Sequence, residues 1–124
     1  MQKFRFREFQ VYKDAIVFRM RVKYLARKYF PSDERFMLFD QIVRAANSIV
    51  LNIAEGSDRS TDKDFALFLN RSHTSLNEVV ACLDIALREK YITVELHGTY
   101  LKEAEDLANQ ITAFRRKLLK SPTK

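Results

Sequence analysis

Glycine, proline and cysteine are scarce in this chain of 124 residues. The sequence holds two glycines (Gly56, Gly98), two prolines (Pro31, Pro122) and the single cysteine Cys82. A β-sandwich or β-barrel needs many tight turns, which glycine and proline normally supply, so the composition favours a few long helices instead. A lone cysteine excludes an internal disulfide and a metal site built from several cysteines.

Long apolar runs and catalytic motifs are also absent. The longest stretch without a charged residue, 45–54, falls far short of the ~20 apolar residues of a membrane span. The basic start of the chain has no apolar segment behind it, so we expect no secretory signal, no membrane partner and a cytoplasmic protein. The sequence contains no glycine-rich phosphate loop, no Gly-x-Ser-x-Gly turn and no Glu-x-x-His pair. We therefore predict a protein that is not an enzyme and holds no cofactor or metal.

Helical periodicity divides the chain into four segments. In each of them apolar residues recur at alternating intervals of three and four, and short polar loops join the segments. The predicted helices span about 9–30, 33–55, 62–90 and 94–119 within one domain, 1–124. The sequence thus predicts an all-α fold, an antiparallel up-down-up-down four-helix bundle.

Capping residues set the predicted helix boundaries. We expect Ser32 to cap the second helix and Gly56 to end it at the position that favours left-handed backbone. Thr61 begins a pattern typical of a capping box for the third helix, and Thr93 is expected to cap the fourth. Gly98 inside the fourth helix costs it about 1 kcal/mol, so we expect the start of that helix to be displaced.

Two helices carry more apolar surface than the corner of a bundle needs. Apolar side chains fill about half of the circumference of the second helix. On the first helix, Ile16, Val17, Met20 and Tyr24 lie opposite the seam that faces the core. These residues either pack between neighbouring helices and on the surface, or form a contact between subunits. We favour a homo-oligomer, because so small a domain has little core in which to bury the excess.

A polar stripe runs along the other side of the second helix. It is either a solvated face or a hydrogen-bonded network that fixes the register between helices or subunits, and we favour the structural network. Its members, together with a residue just beyond the helix, are Gln41, Arg44, Ser48, Asn52, Glu55 and Arg59.

Positive charge is concentrated near the two ends of the chain. The formal net charge is +6, and residues 1–30 alone hold nine basic and two acidic residues. In an antiparallel bundle the first helix starts where the fourth ends, and there Phe4 and Phe6 alternate with cations. Such a pattern can stack bases while the cations hold phosphates, although terminal cations can also serve solubility alone. The candidate nucleic-acid-binding residues are Lys3, Arg5, Arg7, Lys13, Lys23, Arg27, Arg115, Arg116, Lys117 and Lys120.

The middle of the chain resembles a known family. The segment 41–56, QIVRAANSIVLNIAEG, is similar to the pattern Q-x-x-R-A-A-x-S-I-x-x-N-I-A-E-G of proteins encoded in intervening sequences of bacterial 23S ribosomal RNA genes. The opening 6–15, FREFQVYKDA, resembles the pattern F-x-x-L-x-V-W/Y-K-x-A, with Phe9 in place of leucine. Ser72 and Thr74 stand where the family tends to have alanine and glycine, which affects local helix packing.

The resemblance implies a left-handed bundle that assembles into a homopentamer. It also implies kinship to the accessory variability proteins of diversity-generating retroelements, which work with a reverse transcriptase and its RNA. RNA or nucleic-acid binding is inferred for the family, and no enzymatic activity is attached to it. Two hypotheses follow: an oligomeric protein that binds RNA or DNA through its basic surface, or a scaffold that binds a protein partner such as a reverse transcriptase.

Overall fold

A computed structural model describes residues 3–120, so residues 1–2 and 121–124 of the predicted domain lie outside the described part. Four α-helices and two short 3-10 turns account for most of it, and the described residues contain no strand. The helices are α1 (Gln10–Tyr29), α2 (Leu38–Gly56), α3 (Asp62–Arg88) and α4 (Val94–Lys120). The turns span Arg5–Glu8 and Ser32–Glu34.

The helices form a closed cycle of neighbours, with α1 against α2, α2 against α3, α3 against α4, and α4 against α1. Contacts between the first and last helices give their relative direction. Gln110 Nε2 donates a hydrogen bond to Asp14 at 2.9 Å, and the Arg21 guanidinium pairs with Glu103 at 2.7 Å. Residue numbers therefore rise along α1 as they fall along α4. The predicted all-α four-helix bundle is confirmed.

The apolar seams of the four helices meet in one core. Phe18, Val22 and Leu25 of α1 are buried, as the periodicity predicts, and they pack with the buried face of α4 around Ile111. Burial of such side chains is worth about 25 cal/mol per Å² of apolar surface, which makes this core the main source of stability.

Two of the predicted caps are confirmed. The Thr61 hydroxyl accepts a hydrogen bond from the Asp64 amide at 3.0 Å, and the Thr93 hydroxyl accepts one from the Leu96 amide at 3.1 Å. The expected displacement of α4 is wrong, because Gly98 lies inside a helix that starts directly after Thr93. The cap and the buried face beyond it outweigh one unfavourable residue.

The start of α2 also differs from the prediction. Ser32 lies in a 3-10 turn, and α2 begins at Leu38 instead of near residue 33. The backbone of Met37 leaves the helical region, with φ −122° and ψ −101°. The Glu34 carboxylate accepts hydrogen bonds from the Leu38 amide (3.2 Å) and from the Tyr91 hydroxyl (2.8 Å). The second bond joins the start of α2 to the α3–α4 loop and raises the pKa of Tyr91 to about 12.

Gly56 ends α2, but without the predicted left-handed backbone, because its φ is not positive. A Cβ at this position would lie 2.6 Å from the Phe68 Cβ and 3.0 Å from the Phe65 Cδ1. Real Cβ atoms do not approach other carbons that closely, so only glycine lets α3 cross the end of α2 at this distance. Close packing, and not the capping geometry, accounts for the glycine.

Lys90 adopts the left-handed conformation where α3 ends, with a φ of 65°. The Lys90 amide donates to the Leu87 carbonyl at 3.0 Å, and the Tyr91 amide donates to the Ala86 carbonyl at 2.9 Å. This pair of bonds is a Schellman motif, which satisfies the last carbonyls of α3. The buried side chain of Ile92 follows at once and holds the turn against the core.

The apolar excess of α2 is mostly buried within the chain itself. Ile42, Ile49 and Ile53 are fully buried, because α2 packs on both α1 and α3. Packing between two neighbouring helices therefore accounts for these three side chains.

The excess on α1 is different. Val17, Met20 and Tyr24 are each more than half exposed on the side opposite the core, which we call the outer face of α1. Ile16 beside them is partly buried.

Candidate nucleic-acid interface at the basic end

One end of the bundle brings together the start of the chain, the α2–α3 loop and the end of α4. The rings of Phe9 before α1, Phe65 in the first turn of α3 and Phe114 near the end of α4 pack together there, with ring centroids 5.2–6.2 Å apart. We call the surface made by residues 3–8, 57–63 and 115–120 the basic end. Its nine cations, set against three carboxylates, are Lys3, Arg5, Arg7, Arg59, Lys63, Arg115, Arg116, Lys117 and Lys120.

The cations of the basic end take no part in the ion pairs that the structure shows among residues 3–120. Those four pairs use Arg21, Arg44, His97 and Lys102. An excess of cations over nearby carboxylates raises the local electrostatic potential. Exposed members of this group are Lys3, Arg5, Arg7, Arg59, Lys63, Arg116, Lys117 and Lys120.

Arg5 is engaged by the protein itself. Its Nη2 donates a hydrogen bond to the Ser57 carbonyl at 2.9 Å, which ties the start of the chain to the end of α2. The guanidinium also lies 5.5 Å from the Phe9 ring centroid and 5.7 Å from that of Phe65. Cation–π contacts of this kind are worth about 0.5–1 kcal/mol each at exposed sites. Arg5 thus holds the N-terminal segment in place.

Arg115 is partly buried near the end of α4. Its Nε is buried and has no hydrogen-bond partner among the described residues. A buried donor without a partner costs about 1–3 kcal/mol.

The other predicted cations of α1 lie apart from the basic end. Lys13, Lys23 and Arg27 are spread along the helix, and Arg27 lies near its far end. Lys13 and Arg27 are exposed, and Lys23 is partly buried. The structure therefore brings together the predicted terminal cations but not the three on α1.

Part of the predicted polar stripe forms a hydrogen-bonded seam between α2 and α3. The Ser75 hydroxyl donates to the Ser48 hydroxyl at 2.8 Å, and the Asn52 side-chain amide donates to the same oxygen at 3.0 Å. Gln41 donates to the Glu78 carboxylate. Buried Ser72 donates to the Ile49 carbonyl at 2.8 Å, so the departure from the family pattern is accommodated by one more hydrogen bond across this seam.

The remaining members of the stripe lie outside this seam. Arg44 is exposed and pairs with Asp40 on its own helix at 2.7 Å. Glu55 is exposed at the end of α2. The Arg59 guanidinium lies 4.6 Å from the ring centroid of Phe68. The Arg71 guanidinium lies 4.5 Å from the same centroid.

Two side-chain contacts were not predicted from the sequence. Arg19 donates to the Asn47 side chain at 2.7 Å and joins α1 to α2. The second is the contact of Arg59 and Arg71 with one ring. The sequence signal for the first is a polar residue at the edge of the buried face of α2, whereas the second depends on how the α2–α3 loop folds back.

A groove separates the N-terminal segment from the last turn of α2. Its volume is about 720 Å³, and we call it the N-terminal groove. Its lining includes Lys3, Phe4, Leu51, Glu55, Asp58 and Arg59.

The thiol of Cys82, the one cysteine of the chain, is buried in the core. Burial raises the pKa of the Cys82 thiol to about 11, which keeps it protonated at neutral pH. In this part of the chain no three His, Cys, Asp or Glu side chains come together to hold a metal ion. None of its helices has an apolar stretch long enough to cross a bilayer.

Known proteins support the resemblance drawn from the motifs. The sequence profile of the family described as 23S rRNA-intervening sequence protein matches residues 7–113. A similar fold occurs in a protein of unknown function from the S23 ribosomal protein family of Bacteroides thetaiotaomicron, with a TM-score of 0.78 and 24% identity over 86% of this chain and 95% of that chain. Among curated proteins, no sequence matches. Kinship to the retroelement accessory proteins stays a prediction. Since the profile matches well over half of its length, the chain belongs to the 23S rRNA-intervening sequence protein family.

Proposed function

We propose that this protein is a non-enzymatic nucleic-acid-binding protein of the cytoplasm that holds the phosphate backbone on its basic end. The observation that carries the proposal is the set of nine cations against three carboxylates, none of these cations belonging to the ion pairs among residues 3–120. Such a surface attracts phosphate and releases the counterions of the nucleic acid. The family name, which refers to 23S ribosomal RNA, favours RNA as the ligand.

The cations divide by role in this proposal. Lys3, Arg7 and the exposed cations at the end of α4 contact phosphates. Arg5 positions the N-terminal segment, because its guanidinium is already bonded to Ser57 and packed on two rings. Arg115 is partly buried beside them and adds its positive charge to this end.

Charge reversal tests the placement of the site. The triple variant Arg7→Glu/Arg116→Glu/Lys117→Glu removes three exposed cations of the basic end. The matched control, Lys28→Glu/Arg35→Glu/Arg88→Glu, makes the same change in net charge at the opposite end of the bundle. Binding of labelled RNA and DNA is followed by fluorescence anisotropy at two salt concentrations.

The first variant is expected to weaken binding by at least about tenfold. It should also flatten the slope of log affinity against log salt by about 0.7–0.9 for each phosphate that the protein no longer neutralises. The control is expected to keep the wild-type salt slope. Equal weakening by the two variants would show that net charge alone matters and would remove the site from the basic end.

The exposed apolar residues on the outer face of α1 favour a second function, self-association with another copy of this chain. Val17, Met20 and Tyr24 form a continuous exposed stripe, and Lys13, Lys23 and Arg27 lie beside it. An exposed apolar stripe with a charged rim is typical of a protein interface. The pentamer implied by the family resemblance would bury this face and bring several basic ends into one assembly.

Light scattering after gel filtration tests this contact. Val17→Glu/Met20→Glu is expected to dissociate the assembly, whereas Leu67→Glu, at an exposed position of α3, leaves the mass unchanged. A wild-type protein that is monomeric at micromolar concentration would rule out self-assembly. The face would then be assigned to a different protein partner, as in the scaffold hypothesis.

A further inference from the structure

We infer that the N-terminal groove binds an unpaired nucleotide, whose base stacks on Phe4 while its phosphates meet Lys3 and Arg59. The inference rests on the proposed function and goes beyond it. It names single-stranded nucleic acid as the ligand class and assigns a contact to the base. Backbone binding alone needs no such contact, because phosphates are the same in single strands and duplexes.

The groove has the size and lining of a ligand site. Its volume of about 720 Å³ falls within the range of about 300–1,000 Å³ that is typical of small-ligand sites. Two large apolar side chains face it and remain exposed, Phe4 at 59% and Leu51 at 63%. Single exposed apolar residues are common, but two that line one groove offer a base an apolar surface.

The Phe4 ring is supported from behind. It makes an edge contact with the Phe6 ring, with centroids 6.3 Å apart, and Phe6 in turn makes an edge contact with Tyr12 at 4.9 Å. Aromatic side chains stack on bases of any sequence, because every base presents a π-face. A supported ring stacks with little loss of side-chain freedom.

The charges of the groove orient the nucleotide. Lys3 is exposed, and the Arg59 guanidinium lies over the Phe68 ring at 4.6 Å, which leaves N–H groups available to phosphate oxygens. Glu55 and Asp58 line the same groove and repel phosphate. Carboxylates accept hydrogen bonds from the amino groups of bases, so the base edge faces these two residues.

The groove keeps its shape because its two walls are bonded together. Arg5 lies in the N-terminal wall and donates to the Ser57 carbonyl of the opposite wall at 2.9 Å. A duplex cannot place a base in such a groove without unstacking it, which costs a few kcal/mol. The groove therefore favours strands that are already single.

A tryptophan probe tests the stacking directly. The chain contains no tryptophan, so Phe4→Trp introduces a single fluorophore at the groove. Phe36→Trp is the matched control, because Phe36 is 81% exposed at the opposite end of the bundle. The ligands are a short single-stranded oligonucleotide, its duplex, and an abasic strand of the same length with every phosphate retained.

The single strand is expected to quench the fluorescence of Phe4→Trp but not that of Phe36→Trp. The abasic strand and the duplex are expected to bind without quenching. In the protein without tryptophan, Phe4→Ala should weaken binding of the base-containing strand by about tenfold and leave the abasic strand unchanged. Circular dichroism checks that this exposed substitution leaves the helices intact.

The outcomes separate this inference from the function on which it rests. Equal affinity of the wild-type protein for the base-containing and abasic strands would overturn the stacking site and leave phosphate binding standing. Failure to bind any of the three ligands at low salt would overturn both. Quenching of both tryptophan variants would overturn the assignment of the base contact to the groove.

Discussion

The two ends of the bundle hold their loops with opposite chemistry. At the basic end, Arg5 and Arg59 pack on aromatic rings, and Arg5 donates to a backbone carbonyl. At the opposite end, the Glu34 carboxylate accepts hydrogen bonds from the Leu38 amide and the Tyr91 hydroxyl. In both places a charged side chain fixes the loop through neutral partners.

The two ends differ in their net charge. Rings and carbonyls hold a guanidinium without neutralising it, so the basic end is held in place and stays positive. At the opposite end the segments 31–37 and 88–95 hold four carboxylates and three cations, so their charges nearly cancel. The same residues can therefore stabilise the loops of a protein and keep its surface positive.

The largest effect is expected from disrupting the packing under the basic end. Gly56→Ala introduces a Cβ 2.6 Å from the Phe68 Cβ, so α2 and α3 must move apart. We expect the free energy of unfolding to fall by about 2–3 kcal/mol, typical of overpacking in a core. Urea denaturation followed by circular dichroism measures it. A change below about 0.5 kcal/mol would contradict the close approach of the two helices.

A smaller effect is expected at the opposite end. Glu34→Ala removes the acceptor for both Leu38 and Tyr91, and we expect it to cost about 1.5–2 kcal/mol by the same measurement. Arg5→Ala is the counterpart at the basic end and should cost about 1 kcal/mol. A larger loss of stability in Arg5→Ala would mean that the contacts of Arg5 stabilise the fold more than the hydrogen bonds of Glu34 do.

Substitution of the second glycine is expected to increase the free energy of unfolding. Gly98 lies inside α4 with open space around it, so Gly98→Ala adds a Cβ that meets nothing. Alanine is about 1 kcal/mol more favourable than glycine in a helix, and we expect the variant to be stabilised by that amount. A destabilised Gly98→Ala would mean that this exposed surface needs the glycine for a contact outside the single chain.

The smallest expected effect is on the rate at which a thiol reagent labels Cys82, which reports local unfolding near one end of the bundle. Cys82 lies in the half of α3 near Glu34, and burial raises the pKa of its thiol to about 11. Because the folded pKa exceeds the unfolded one, this thiol supports the folded state fully below about pH 9 and less as the pH rises towards 11. At pH 8, labelling by a thiol reagent therefore requires opening.

We expect Glu34→Ala to speed this labelling severalfold and Arg5→Ala to leave it nearly unchanged. Urea-unfolded protein supplies the reference rate. Equal acceleration by the two substitutions would show that the bundle opens only as a whole, without separate behaviour at its ends.

Local rules predicted the features that depend on neighbours in the chain. The seams of α1 and α4 and the caps at Thr61 and Thr93 follow from residues within one or two turns, and each is confirmed. Ser32 failed as a cap because the competing acceptor, Glu34, is held by Tyr91, 57 residues away. Gly56 was misinterpreted because its constraint comes from Phe68 across the helix interface.

The candidate site was predicted in part for the same reason. Terminal cations follow from the sequence, and the antiparallel bundle brings them to one end. The engagement of Arg5 by Ser57 and of Arg59 by Phe68 depends on the path of two loops, which no periodicity encodes. The groove beside Phe4 lies where the bond from Arg5 to Ser57 joins the N-terminal segment to the end of α2.

The cyclic order of the helices has a consequence for folding kinetics. Three of the four helix contacts join helices that follow one another in the chain. The fourth contact joins α1 to α4, which are separated by most of the length of the chain. Closing a long loop costs more entropy than closing a short one, so we expect the α2–α3 hairpin to form early and the α1–α4 contact to form last. Stopped-flow refolding should then show Ser72→Ala slowing folding and Gln110→Ala mainly speeding unfolding. The partly folded chain would spend its last step with the N-terminal helix still undocked.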